Sequence, residues 1–300
     1  MTVLLIGLVA GLALASVYLL IATSFTLIVA VSGVFNFLQG TVVMLACVGS
    51  FIFTMQQGWP PLVALAVLLV IGLVIGVLTN LLLVRPAEGR AHHMIETTLL
   101  TTLGAGTAIV AITTMLFGSE GRRVTPYVSA EPWIVGSFPL NKTNVLIIVV
   151  TFAIAVAFDQ LMRRSTAGRM TRVTLEDKEA AQLAGINVKR VVTLSFAAAG
   201  ALAMLAGWLI VPVIGASPSS ASYLAFYAFA AMALGGFGSF SGAAIGAVIV
   251  GLIQGVLPVY INPSWTTILL IVLVTGLLVV RPAGLRGVAG LHGAQGIREI

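Results

Sequence analysis

The first charged side chain in this sequence is Arg85, so residues 1–84 contain no Lys, Arg, Asp or Glu, and a second charge-free run extends from Val191 to Val280. An ordinary soluble domain carries about a quarter of its residues as charges. This chain carries 8% charged against 59% hydrophobic residues, which excludes a soluble enzyme. A helix of ~20 apolar residues crosses a hydrocarbon core of ~30 Å. The first run therefore has room for three crossings and the second for three or four.

Between their breaks the apolar segments fall at about 3–31, 40–57, 61–84, 95–118, 144–159, 191–213, 222–237, 242–258 and 264–280. Helix is the expected form, because open strand edges in lipid leave backbone groups unpaired and these runs are too continuously apolar for barrel strands. The expectation is an all-α polytopic membrane protein, one transmembrane domain over residues 1–300, with eight or nine transmembrane or re-entrant helices. The count is open because residues 222–237 and 242–258 are short and meet at GGFGSFSG (Gly235 to Gly242), so they read equally as two crossings or as a re-entrant hairpin. The steps LLLVRPAEGR (Leu81 to Arg90) and LLVVRPAGLRG (Leu277 to Gly287) each place Arg-Pro-Ala where an apolar run stops. Trp59 and Trp265 stand upstream, at the opposite ends of those runs. The echo suggests a duplicated three-segment unit, although shared interface anchoring also accounts for it.

Charge placement sets the sidedness. Of 15 cations, seven lie between Arg163 and Arg190, two are Arg85 and Arg90, and three are Arg281, Arg286 and Arg298, leaving only Arg122, Arg123 and Lys142 elsewhere. Lys and Arg accumulate in cytoplasmic loops. With nine crossings this places the N-terminus outside, the C-terminus inside, and the loop from Glu120 to Lys142 outside. The net charge of +6 is thus a topology marker rather than a nucleic-acid footprint. Nothing positive precedes Arg85, so mature structure rather than a cleaved leader is expected at the N-terminus. The single cysteine, Cys47, lies in an apolar run and reads as a small buried hydrophobe.

Neither charge-free run offers an ionisable carboxylate for proton or sodium coupling, nor a nucleophile with its base. The polar residues there are neutral: Ser16, Tyr18, Thr23, Ser24 and Thr26, then Asn36, Gln39, Asn80 and Gln254. Helix-to-helix bonding is the ordinary use of such residues. The break GVFNFLQG (Gly33 to Gly40) interrupts an apolar stretch with two glycines and two amides, so it is either a turn or a broken helix of the kind transporters use for binding and gating. GGFGSFSG lacks the Lys-Ser/Thr of a phosphate loop and follows no strand. His92, His93 and Glu96 make a poor metal site, since adjacent histidines face different sides of a helix. No metal is expected. The outer loop, with Pro126, Tyr127 and Trp133, is either a docking surface or a solvated cap.

The long charged stretch is RRSTAGRMTRVTLEDKEAAQLAGINVKR (Arg163 to Arg190), a loop over about 160–190. Its middle is helix-compatible and Gly185 with Asn187 supplies a stop. Leu175, Ala180, Leu183 and Ala184 then form an apolar patch on a charged helix. Such a patch docks a protein or lies on anionic lipid.

These residues resemble the branched-chain amino acid permease family, the membrane subunits of ATP-binding-cassette importers. The EAA-x-x-x-G pattern is complete at Glu179, Ala180, Ala181 and Gly185, and Gly185 to Asn187 matches the following Gly-Ile-Asn step. The break is similar to the family's Asn-Phe-x-His/Gln-Gly element at Asn36, Phe37, Gln39 and Gly40, with Gln39 where many members have His. ALGGFGSFSGAAIG (Ala233 to Gly246) resembles its late glycine-rich element, while the Ile-x-Leu-Pro tail after the coupling motif is not recognisable.

The resemblance implies an ATPase-coupling loop at Glu179, Ala180, Ala181, Gly185 and Asn187. It implies a path or gate at Asn36, Phe37, Gln39, Gly40, Gly235, Gly236 and Gly238, to which Asn80 is added as a neutral polar residue within the first charge-free run. The implied partners are cytoplasmic ATP-binding subunits that hold the ATP and magnesium, a second homologous permease, a periplasmic solute-binding protein and membrane lipid. This chain would have no cofactor and no enzymatic activity of its own. The implied location is the bacterial inner membrane, and the implied solutes are branched-chain amino acids, then other amino acids, amides, urea or aromatic acids. A stand-alone carrier or channel for small neutral solutes is the alternative.

Overall fold

The computed structural model describes residues 2–88, 94–129, 131–135, 138–281 and 284–285. Helix α1 (Thr2–Ser32) is followed by α2 (Leu38–Phe51), which ends in a π turn (Ile52–Gln56), and by α3 (Pro61–Thr79), which passes through a second π turn (Asn80–Val84) into α4 (Arg85–Glu88). Then come α5 (Met94–Phe117), a hairpin of β1 (Trp133–Val135) and β2 (Phe138–Leu140), α6 (Lys142–Arg164), α7 (Thr166–Glu176) and α8 (Lys178–Leu183). The chain closes with α9 (Val188–Ile214), α10 (Ser220–Gly235), α11 (Phe240–Tyr260) and α12 (Pro263–Val280). Among the described residues, seven helices are long and apolar enough to cross a membrane, and α10 and α12 are shorter apolar helices. At 1.5 Å per residue, the 16 residues of α10 reach about 24 Å.

Small residues set the packing. Lipid offers apolar side chains no reason to associate, so membrane helices hold together where backbones approach closely. Gly7, Gly11 and Ala15 of α1 face Gly255 and Gly251 of α11, in descending order, which makes the two helices antiparallel. A Cβ on Gly7 would lie 2.9 Å from the Gly255 carbonyl oxygen. Gly72 and Gly76 of α3 meet Gly200 and Phe196 of α9 in the same antiparallel sense. Of the seven long helices, α2 and α9 are the most enclosed, whereas α5 and α6 lie at the periphery. Tyr18 of α1 donates to Gln254 Oε1 of α11, a bond between helices, while Ser16 and Ser24 bond back to carbonyls of their own helix.

The bundle has two distinct ends. Lys178 meets Ser32, Arg85 meets Lys189, and the Leu285 amide donates to the Leu234 carbonyl, so the cation-bearing segments from Arg85, α7, α8 and Arg281 gather at one end, called here the α8 end. At the other, the hairpin end, Arg122 pairs with Ala216 across an isolated bridge. Arg122 Nη2 also donates to the Phe117 carbonyl at 2.8 Å, and its guanidinium lies 4.3 Å from the Phe117 ring centroid. Tyr127 stacks on Trp208 with centroids 4.3 Å apart and donates to the Trp208 carbonyl, and burial raises its pKa above the usual phenol range. This loop is therefore folded onto the bundle at its inner part, while Trp133 and Ile134 of β1 remain exposed.

Two expectations need correction. The Arg-Pro-Ala step after α3 does not stop the helix. The π turn at Asn80–Val84 widens the hydrogen-bond register just before Pro86, and the helix continues through Glu88. Arg281, by contrast, follows the end of α12, and Pro282 and Ala283 lie outside the described residues. The charged loop is also two helices rather than one. Asp177 leaves the helical region (φ −154°, ψ 114°), ends α7, and its Oδ1 accepts from the Glu179 and Ala180 amides at 2.8 and 3.0 Å to start α8. His92 and His93 lie outside the described residues.

Candidate functional site

The break between α1 and α2 covers Gly33–Phe37, with Val34 and Asn36 buried, Phe35 and Phe37 half-buried and Gly33 exposed. Gly33 takes φ +79°, a left-handed conformation that only glycine adopts cheaply, and ends α1 with its amide on the Val29 carbonyl. Asn36 Oδ1 accepts from the Leu38 amide at 3.1 Å, restarting the chain as α2, and Asn36 Nδ2 faces Gln39 Oε1 at 3.5 Å. Gln39 Nε2 donates to the Ala199 carbonyl in the middle of α9 at 2.7 Å. The Phe37 amide reaches Thr102 Oγ1 of α5 at 3.4 Å. Both amide side chains thus anchor the break to the protein and satisfy each other, as buried polar groups must. Gly40 packs on α10, where an added Cβ would lie 2.7 Å from the Ala221 carbonyl oxygen.

Beside the break, between α2, α5 and α10, lies a cavity of about 380 Å³. Phe37, Phe226 and Phe229 give it aromatic walls, and Thr41, Thr107 and Ser222 give it hydroxyls. Among the described residues, no charged side chain lines it. Of the residues read from the sequence as path or gate, Phe37 borders this cavity; Asn36 and Gln39 brace the turn behind it.

Asn80 lies elsewhere. In the π turn after α3, its Nδ2 donates to Thr193 Oγ1 of α9 at 2.9 Å, and it borders a cavity of about 260 Å³ with Arg85, Lys178, Gln182 and Lys189. Arg85 Nη2 reaches the same Thr193 hydroxyl at 2.9 Å. Together they fasten the end of α3 to the start of α9. Gly235 packs directly on Gly242 and opens the turn between α10 and α11, where Gly236 and Gly238 take φ +110° and +79°. This turn also lies at the α8 end, against Gly284.

Every residue of the EAA-x-x-x-G pattern has a local task. The Glu179 and Ala180 amides donate the capping bonds to Asp177 Oδ1, Ala181 is fully buried, and Gly185 at φ +80° ends α8 with the Ile186 amide on the Ala181 carbonyl. Asn187 Oδ1 then accepts from the Arg190 amide at 3.1 Å and starts α9. Ala180, Leu183 and Ala184 are exposed, Leu183 to 91%, whereas Leu175 belongs to α7 and faces inward. Lys178 was not singled out by its sequence, yet its Nζ donates to the Ser32 carbonyl at 3.1 Å and connects α8 to the last turn of α1. Among the described residues no group of three or more His, Cys, Asp or Glu is placed to hold a metal.

The sequence profile of a family described as "Branched-chain amino acid transport system / permease component" matches residues 7–278. The chain is 28% identical to the high-affinity branched-chain amino acid transport system permease protein LivH of Escherichia coli (strain K12), over 92% of this chain and 93% of LivH. It is 27% identical to the corresponding protein BraD of Pseudomonas aeruginosa, over 93% of this chain and 94% of BraD. A more distant relative is the fructose import permease protein FrcC of Rhizobium meliloti, 27% identical over 85% of this chain and 70% of FrcC. No solved structure matches the chain significantly. A multi-pass bundle of apolar helices with the break and loop described above, matched over nearly its whole length by that profile, belongs to the branched-chain amino acid transport permease family.

Proposed function

We propose that this chain is one membrane subunit of an ATP-driven importer for small zwitterionic amino acids with apolar side chains, leucine, isoleucine and valine first. The observation that carries the reading is α8: a short helix capped at both ends by its own sequence, exposing Ala180, Leu183 and Ala184 and tied to α1 through Lys178. An apolar knob on a rigid, polar-rimmed element is what a docking partner requires. Cytoplasmic ATP-binding subunits would seat on it and hold the ATP and magnesium. The α8 end is then cytoplasmic, the hairpin end faces a periplasmic solute-binding protein, and the chain sits in a bacterial inner membrane with its N-terminus outside.

In this reading the nine apolar helices make nine crossings, and a duplicated three-helix unit would put Arg85 and Arg281 at one end, as any nine-crossing arrangement does. The partner across the membrane plane is a second, homologous permease in a heterodimer. The path passes the uncharged cavity beside Phe37, with Asn36, Gln39 and Gly40 as its gate frame and Asn80, Gly235, Gly236 and Gly238 at the α8 end. Uncharged walls of rings and hydroxyls suit a solute with no net charge and an apolar body. Fructose permeases among the relatives make the solute the point to test.

The chain would be reconstituted in vesicles with candidate ATPases, second permease and binding protein, and ATP-dependent uptake of labelled leucine and of fructose compared. Leucine uptake that needs ATP and is abolished by Glu179→Lys and by Gly185→Pro, with both variants still in the membrane, is expected. Proline cannot take the φ of +80° found at Gly185. Uptake by the chain alone without ATPase would overturn the reading in favour of a stand-alone carrier.

A further inference from the structure

A third cavity, separate from those beside Phe37 and Asn80, opens beside α6. It is a groove of about 610 Å³ framed by α1, α6, α7, α9 and the start of α11. Leu20, Ile154, Phe158 and Leu202 line its apolar part. Asp159, Arg163 and Arg172 stand at its charged part. From Ile154 to Arg163 the α6 axis rises about 14 Å, which is close to the ~15 Å depth of one leaflet of a ~30 Å hydrocarbon core. The groove is therefore graded like half a bilayer, with charge at the α8 end and hydrocarbon toward the membrane centre. Helix α6 is peripheral and exposes Phe152, Val156 and Leu161, so the groove borders the surface that faces lipid.

The charge at the mouth is selective. Arg163, Arg164, Arg169 and Arg172 fall within ten residues, against Asp159 and Glu176 at the flanks. Asp159 is already engaged, with its Oδ2 2.8 Å from Arg163 Nε. Arg172 reaches the mouth from α7, and among the described residues no carboxylate pairs with it. A guanidinium beside a leaflet-deep apolar slot matches a phosphate ester carrying an acyl chain and no compensating cation.

We propose that this groove is a binding site for one anionic phospholipid of the leaflet at the α8 end, with an acyl chain between α1 and α6 and the headgroup phosphate on Arg172 and Arg163. The bound lipid braces α7, the helix that leads directly into α8. The inference stands whichever solute the protein carries.

The full-length protein in detergent would be titrated with phosphatidylglycerol and with phosphatidylcholine of identical chains, and the lipids retained counted by native mass spectrometry. One tightly held phosphatidylglycerol is expected, retained in preference to phosphatidylcholine. A basic side chain near a membrane surface gives about 1 kcal/mol of attraction to anionic lipid, so Arg172→Gln is expected to cut that preference about fivefold. Arg123→Gln, at the hairpin end, leaves it unchanged. Ala155→Trp, which fills the groove, removes retention of both lipids. Excess inorganic phosphate is not expected to displace the lipid; displacement would mean a bare anion site and overturn the proposal. Equal retention of the two lipids, or a preference that Arg172→Gln leaves unchanged, overturns it too. Since Arg172 is exposed on α7, its replacement leaves the fold intact and the test decisive.

Discussion

Replacing Lys178 by methionine removes one ammonium and keeps most of the side chain's apolar stem. In the structure that ammonium donates to the Ser32 carbonyl at 3.1 Å. Ser32 closes α1, so its carbonyl is one of the last four that have no partner within their helix and carries the negative end of the helix dipole. A hydrogen bond from a charged donor contributes about 1.5–3 kcal/mol, and the partial exposure of this one puts it at the lower end. Ser32 immediately precedes the break at Gly33, and Lys178 opens the helix proposed to dock the ATPase. Losing about 1.5 kcal/mol from that one link weakens the hold of α8 on the break roughly tenfold. The expected result is ATP hydrolysis by the assembled complex near the wild-type rate with leucine uptake down about tenfold, restored largely by Lys178→Arg. Uptake per ATP is the quantity to measure in proteoliposomes. An unchanged ratio in Lys178→Met would refute the reasoning, as would equal loss in the methionine and arginine variants.

Gln39→Met removes the 2.7 Å bond to the Ala199 carbonyl and the acceptor facing Asn36, and should cost about 2 kcal/mol in a denaturation assay, whereas Gln39→His keeps a donor and should lose less. Gly76→Leu drives a side chain onto the Phe196 backbone and should cost about 1–3 kcal/mol or prevent assembly; Gly104→Leu, with nothing within 4 Å of an added Cβ, should change stability little by the same thermal-shift measurement. Cys47 is the chain's single cysteine and fully buried, so the folded protein should resist maleimide labelling and react only after denaturation.

The parts of this molecule written in short stretches of sequence were legible. Charge-free runs announced the membrane helices because a missing charge is a local property, and the break at Gly33 was visible as a pair of amides between glycines. The C-terminal end of α8 was equally readable, since Gly185 and Asn187 act on neighbouring amides. Asp177 was a signal available but unused: an aspartate before Lys-Glu-Ala-Ala is a helix N-cap, and it divides the loop into α7 and α8. What stayed hidden depends on distant partners. Lys178 and Ser32 are separated by 146 positions, and Gln39 and Ala199 by 160, so no spacing rule links them. Nor did the sequence disclose that Asn80 and Asn36 serve different places, because that follows from how α3 packs on α9.

In the importer proposed above, the long-range bonds also explain how a membrane protein with a neutral interior would be driven. Among the described residues, no Asp, Glu, Lys, Arg or His side chain is buried. The work must then enter as movement of a rigid element. Helix α8 has two routes to the break, one through Lys178 to Ser32 and one through Asn187 into α9, whose Ala199 carbonyl holds Gln39. Those contacts grip the five residues Gly33–Phe37 from both sides, and the cavity wall at Phe37 is part of the gripped segment. Any displacement of α8 that moves α1 and α9 unequally must therefore deform the break, which is the least regular backbone in that part of the core and the place where the deformation costs least.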